Sequence, residues 1–138
     1  MATVELQAGL KGEAELVVDE EHTALQVGSG RVRVLATPLM IALMETAAVA
    51  AVEDVLAPGQ QTVGTHVDVR HLAATPVGMT VRAMAELVKV DGRTLMFRLA
   101  AVDEKEPIGE GMHTRAIVDA ERFDARMQAK LDQAGPSS

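Results

Sequence analysis

The stretch TPLMIALMETAAVAAV, Thr37 to Val52, constrains this chain more than any other. Its Ala, Leu and Met content favours helix. Thr37 reads as an N-cap with Pro38 at the first helical position, and Pro58 and Gly59 in APGQQ end the segment. Between Pro38 and Val52 only Glu45 and Thr46 are not apolar. A helix apolar nearly all round cannot lie on a surface, so the rest of the chain must cover it. Glu45 then sits inside a run that reads as wholly buried, and an ionised carboxylate is almost never buried unless it is paired or used.

What the rest of the chain offers is strand. AELVV (Ala14–Val18) and RVRVLA (Arg31–Ala36) read as short strands before the helix, the second strictly alternating. After it come four long β-rich segments, Thr62–Ala73, Met79–Val90, Arg93–Glu104 and Ile108–Asp119, broken at Pro76 and Pro107. Asp91-Gly92 is a strong hairpin signal and pairs the second and third of these antiparallel. AERFDARMQAKLDQ reads as a short amphipathic helix, and the tail from about residue 134 as disordered. With no repeat and no long linker, residues 1–138 read as a single domain. The simplest arrangement that buries the helix is α+β, with a curved antiparallel sheet wrapped around one central apolar helix. One such sheet leaves edges and an incompletely covered helix, and pairing two copies into a homodimer is the expected remedy.

Strand periodicity then sorts the histidines. In TVGTHVDVRHLA, Val63, Thr65, Val67, Val69 and His71 share the more apolar face, so His71 is expected to point inward toward the helix carrying Glu45. Gly64, His66, Asp68 and Arg70 lie on the other face. His66 and His71 thus point opposite ways, which argues against a two-histidine metal site. In the last strand Met112, Thr114, Ala116 and Val118 form the expected inward face, which turns His113 and Arg115 outward. His71 is therefore the histidine expected to do chemistry with Glu45. The bland alternatives are a satisfied core pair for Glu45 and His71, a simple N-cap for Thr37 and a bulge for Gly64.

Composition removes several classes of function. Cysteine is absent, which excludes disulfides, thiolate metal ligands and cysteine nucleophiles. Twenty acidic against thirteen basic residues give a net charge of −7. Two Phe, no Trp and no Tyr leave little on which bases could stack, so no nucleic-acid partner is expected. The start MATVELQAGLKGEAE carries no signal pattern, and the longest apolar run is interrupted by Glu45, so a cytoplasmic protein with no membrane partner is expected.

Three stretches, ATPLMIALMETAA, GTHVDVRHLAATPVGMTV and GEGMHTRAIVDAERFDARM, resemble those of the fluoroacetyl-CoA thioesterase family, which has the hotdog fold. The resemblance runs from about Val34 to Met127. It implies hydrolysis of an acyl-CoA thioester, with a short acyl chain, without metal or other cofactor. The family's catalytic Thr, Glu and His fall on Thr37, Glu45 and His71. Its substrate-binding Gly falls on Gly64, next to the thioester, and a basic residue that contacts coenzyme A falls on Arg115. The resemblance also places the site at a dimer interface. Just upstream of the Thr the fluoroacetyl-specific member has a lid of phenylalanines, whereas VGSGRVRVLAT contains no aromatic, which points to a different or broader short acyl-CoA. A hydratase or dehydratase of the same fold and a non-catalytic acyl-CoA-binding module are the alternatives.

Overall fold

The computed structural model describes residues 5–134. In chain order the elements are β1 (Lys11–Val17), α1 (Ala24–Val27), α2 (Thr37–Val52), β2 (Gln60–His71), β3 (Thr80–Asp91), β4 (Thr94–Val102), β5 (Pro107–Asp119) and α3 (Ala120–Ala134), with helical turns at Glu20–His22 and Glu53–Val55. The strands form one antiparallel sheet in the order β1-β3-β4-β5-β2. The Asp91-Gly92 hairpin forms as expected, with Asp91 opposite Thr94 and Gly92 at φ 59°.

The apolar run makes α2, and the sheet covers it on one side only. Met40, Met44, Ala47, Ala48, Ala51 and Val52 are buried. They meet Val81, Ala83, Ala85 and Leu87 of β3 and Leu95, Phe97, Leu99 and Ala101 of β4 in one core cluster. Burying side chains of the Leu or Phe class contributes about 1.5–3 kcal/mol each, so this layer dominates folding. The three buried alanines let the helix come close to β1. A Cβ at Gly12 would overlap the backbone of Ala47 and Ala51, so glycine is required there. Helix α2 packs chiefly on β1 and β3 and only lightly on β4 and β2. It therefore lies off-centre, leaving the β5–β2 end of the sheet open beside it. Pro38, Ala42, Thr46 and Ala50 on its far side are exposed.

Several expectations need correction. Arg31–Ala36 is not a strand: Leu35 and Val34 make only isolated bridges, to Thr23 and Pro76. Alternation alone does not make a strand when the backbone groups find other partners. This segment instead hydrogen-bonds across the α1 turn, Ala24 N–H to the Val34 carbonyl at 2.8 Å and Ala36 N–H to the His22 carbonyl at 2.9 Å. The first strand spans Lys11–Val17 rather than Ala14–Val18, because the close approach at Gly12 belongs to it. Ala36, not Thr37, is the N-cap of α2, with Pro38 in the first turn. Most of the tail expected to be disordered, residues 135–138, lies outside the described residues. Among the described residues no helix is long and apolar enough to cross a membrane.

Strand facing is also corrected, in two places. Between Met112 and Val118 of β5 the buried residues are His113, Arg115 and Ile117, while Met112 is 36% exposed, so the inward face there is the opposite of the expected one. In β2 the register slips between Gly64 and His66, leaving Thr65 as a bulge. A bulge shifts the two-residue alternation by one. Thr62 and Gly64 face the helix side before it, whereas Val69 and His71 are the less exposed residues after it.

Candidate active site

Glu45 projects from α2 toward the open β5–β2 end of the sheet. Its side chain is 38% exposed, half-buried rather than enclosed, because α2 is covered on one side only. All its charged contacts are made through Oε2. That atom accepts from Arg115 Nη1 at 3.0 Å and lies 3.6 Å from His113 Nε2. Among the described residues Oε1 makes no hydrogen bond.

Arg115 is 6% exposed, a burial that an unpaired charge could not sustain. Its guanidinium is satisfied within the chain. Nε donates to Thr62 Oγ1 at 2.9 Å and Nη2 to the Thr62 carbonyl at 3.0 Å. The Nη1 protons go to Glu45 and, at 3.1 Å, to His113 Nε2. One Nη2 proton is left uncommitted. Burial lowers the Arg115 pKa and the Glu45 carboxylate acts against that shift.

His113 lies beside this fork, 1% exposed. Its Nδ1 is 2.7 Å from the His66 carbonyl oxygen. A carbonyl only accepts, so Nδ1 carries the proton and Nε2 is the acceptor that meets Arg115. Burial holds the His113 pKa below the usual histidine value; the His66 carbonyl opposes this, and the Arg115 charge adds to it. Gly64 stands opposite Arg115 in the β2–β5 register. A Cβ there would run into Glu45 Oε2 and lie 3.2 Å from His113 Cε1 and 3.3 Å from Arg115 Nη1, so the carboxylate keeps its place because position 64 has no side chain.

Thr37 and His71 form a second group. Freed from capping, the Thr37 hydroxyl lies 2.7 Å from His71 Nδ1. His71 Nε2 is buried and has no hydrogen-bond partner among the described residues. Burial lowers the His71 pKa, with the Ala73 backbone acting the other way, which favours the neutral ring near pH 7. Beside the pair opens a cavity of about 410 Å³ lined by Ala24, Val32, Val34, Leu35, Leu72 and Ala73.

The sequence thus predicted five site residues, and the structure brings them together in two groups, Thr37 with His71 and Glu45 with Gly64 and Arg115. Within one chain the groups do not meet. Eight residues of helix separate Thr37 from Glu45 by about 12 Å of rise. Thr62 escaped the sequence reading, and His113 was paired with Arg115 but turned outward with it. The signal that could have placed His113 was the role that the resemblance gives Arg115: a strand that turns one of them toward the site turns both.

The sequence pattern of the fluoroacetyl-CoA-specific thioesterase family matches residues 18–121. The fluoroacetyl-CoA thioesterase of Streptantibioticus cattleyicolor is 45% identical over 97 residues, 70% of each chain. The solved structure of a fluoroacetyl-CoA thioesterase superposes with a TM-score of 0.85 at 36% identity, covering 92% of this chain and 98% of that one. A mutant of that protein in complex with fluoroacetate and CoA gives a TM-score of 0.80 at 37% identity, covering 86% and 99%. A hypothetical protein of Thermus thermophilus described as a thioesterase superfamily member gives 0.85 at 29% identity, covering 92% and 94%. The chain therefore belongs to the fluoroacetyl-CoA-specific thioesterase family, as a thioester hydrolase of the hotdog fold.

Proposed function

We propose that the protein hydrolyses a short acyl-CoA as a cytoplasmic homodimer, with Thr37 and His71 of one copy facing Glu45 of the other. The observation that carries this reading is a pair of unmet needs. His71 Nε2 is buried without a partner, and Glu45 Oε1 is uncommitted on a helix whose outer side is bare. A buried polar atom left unsatisfied costs about 1–3 kcal/mol, so His71 Nε2 calls for a partner, and the bare outer side of α2 is a face for a second copy to cover. Edge strand β2, largely exposed, adds a second surface for pairing.

In this assembly the Glu45 carboxylate acts through Oε1, either as general base on a water or as the attacking nucleophile. In the base route the water oxygen bonds to the thioester carbonyl carbon while Glu45 takes the proton. The C–S bond then breaks, the proton passes to the sulfur, and the products are the free acid and coenzyme A. The Gly64 amide is the candidate donor to the developing oxyanion. His71 orients the reacting group through Nε2, and Thr37 sets the ring's orientation. Arg115 fixes Glu45 and keeps one Nη2 proton for the acyl-CoA. The cavity beside Thr37, lined mainly by Ala, Val and Leu, suits an alkyl acyl group.

A thiol-release assay over acyl-CoA esters of increasing chain length tests the reading. Thiol release by the native chain, lost in Glu45→Ala with the fold intact, is the expected result. Near-normal rates in Glu45→Ala across the panel would make Glu45 structural. Acyl-CoA turnover without thiol release would indicate a hydratase or dehydratase, and binding without turnover an acyl-CoA-binding module.

A further inference from the structure

His113 is the one ionisable group at the Glu45 cluster to which the hydrolytic scheme gives no task. We propose that His113 is a positioning residue for hydrolysis: an uncharged imidazole that locks the Arg115 fork and, through it, the Glu45 carboxylate. This rests on the reading of Glu45 as the catalytic carboxylate.

The argument starts from the two protons on Arg115 Nη1. One is given to Glu45 Oε2 at 3.0 Å and the other to His113 Nε2 at 3.1 Å. A guanidinium is planar and its N–H directions are fixed, so two acceptors on one nitrogen determine the orientation of the whole plane. Thr62 holds the far side of the fork through Nε and Nη2. Without an acceptor at position 113, one buried Nη1 proton is unsatisfied, and the fork is free to tilt toward a better partner. The carboxylate, half-exposed and on a flexible side chain, would follow it.

His113 is itself built to stay still and to stay neutral. Its side chain is fully buried. Its Nδ1 is fixed by the His66 carbonyl, and its ring lies against Phe97 with centroids 6.2 Å apart. The groups that face it are Glu45 from α2, Arg115 on its own strand, His66 from β2 and the uncharged Phe97 from β4. A proton added at Nε2 would set donor against donor at Arg115. The same proton would draw Glu45 Oε2, 3.6 Å away, off the arginine and onto the imidazolium. Holding Glu45 in place thus requires the neutral ring, which burial among these groups favours.

Two variants and a spectrum test the inference. Glutamine can give an amide proton to the His66 carbonyl and accept from Arg115 without titrating, while leucine can do neither. For the ester that the native chain hydrolyses best, His113→Leu should lower kcat about 10²-fold, the scale of a roughly 1 Å misplacement, with KM nearly unchanged. His113→Gln should recover most of that loss and carry the acidic limb of the rate profile to lower pH. In the native chain near neutral pH, ¹⁵N NMR should show Nδ1 protonated and Nε2 bare. A Nε2-protonated ring overturns the inference without reference to activity. So does native kcat in folded His113→Leu, or a lowered Tm with kcat per folded molecule unchanged, or a His113→Gln no better than the leucine variant. Loss of turnover in Glu45→Ala alongside a fully active His113→Leu sinks this inference alone, whereas an active Glu45→Ala sinks the reading beneath it.

Discussion

Gly64→Ala adds one methyl group at a place where the structure says what it meets. The backbone of Gly64 is not in the left-handed region, so alanine is tolerated conformationally. In a strand that exchange is even mildly favourable, by roughly 0.5–1 kcal/mol. The new Cβ would, however, fall on Glu45 Oε2, the far end of a flexible and half-exposed side chain. The carboxylate can swing aside, so the fold survives. To restore van der Waals distance Oε2 must move by roughly 1 Å, and it cannot do so while keeping its 3.0 Å bond to Arg115. A displacement of that size at a catalytic group costs about 10²-fold in rate. The prediction is a kcat/KM lowered about 10²-fold in a thiol-release assay, with a melting temperature within a few degrees of the native chain. Activity within twofold of native would refute the reasoning, because the catalytic carboxylate would not be where this methyl reaches.

Two further predictions concern the histidines. His71→Ala should lower kcat/KM by at least about 10²-fold, whereas His66→Ala, which keeps the carbonyl used by His113, should change it little; comparable losses at both would show that the β2 facing is wrong. Stability should fall on acidification. His71 and His113 both have folded pKa values below the usual one, so the unfolded chain binds protons first. Their contribution is complete above the unfolded value of about 6.5 and is lost as the pH falls below it, through the folded values. Urea midpoints at about pH 7.5 and about pH 5.5 should therefore differ less in His113→Gln than in the native chain, and an equal difference would contradict the assignment.

The parts legible in the sequence were those with a strong local signal. An all-apolar helix and an Asp-Gly turn are fixed by local chemistry, and both fall where expected. The facing of β5 was misread, because Met112, Ala116 and Val118 on one face outnumber the single apolar Ile117 beside His113 and Arg115 on the other. The choice is made by partners distant in sequence: Glu45 and Thr62 satisfy Arg115, and the His66 carbonyl satisfies His113, which lets two polar residues take the buried side. The bulge at Thr65 left no mark in a strand otherwise regular, so Gly64 was assigned outward by alternation although the family resemblance placed it at the thioester. Thr37 looked like an ordinary cap. Its hydroxyl turns to His71 instead, a contact across 34 positions that no local pattern announces. The Arg31–Ala36 alternation failed for the converse reason, a good strand pattern whose backbone groups are taken by the α1 turn, His22 and Thr75.

The central claim is that one working site draws Thr37 and His71 from one copy and Glu45 from another, and complementation between two variants that each lack one of these groups tests it most directly. Thr37→Ala and Glu45→Ala chains carrying different tags are co-expressed, and the mixed dimer is purified on both tags. If sites are shared, one of the two in the mixed dimer collects both substitutions and the other collects neither, so about half of native activity per dimer should return. If each site is built within a single chain, every site in the mixed dimer carries one substitution. Activity no higher than that of the two parent variants would then contradict the account.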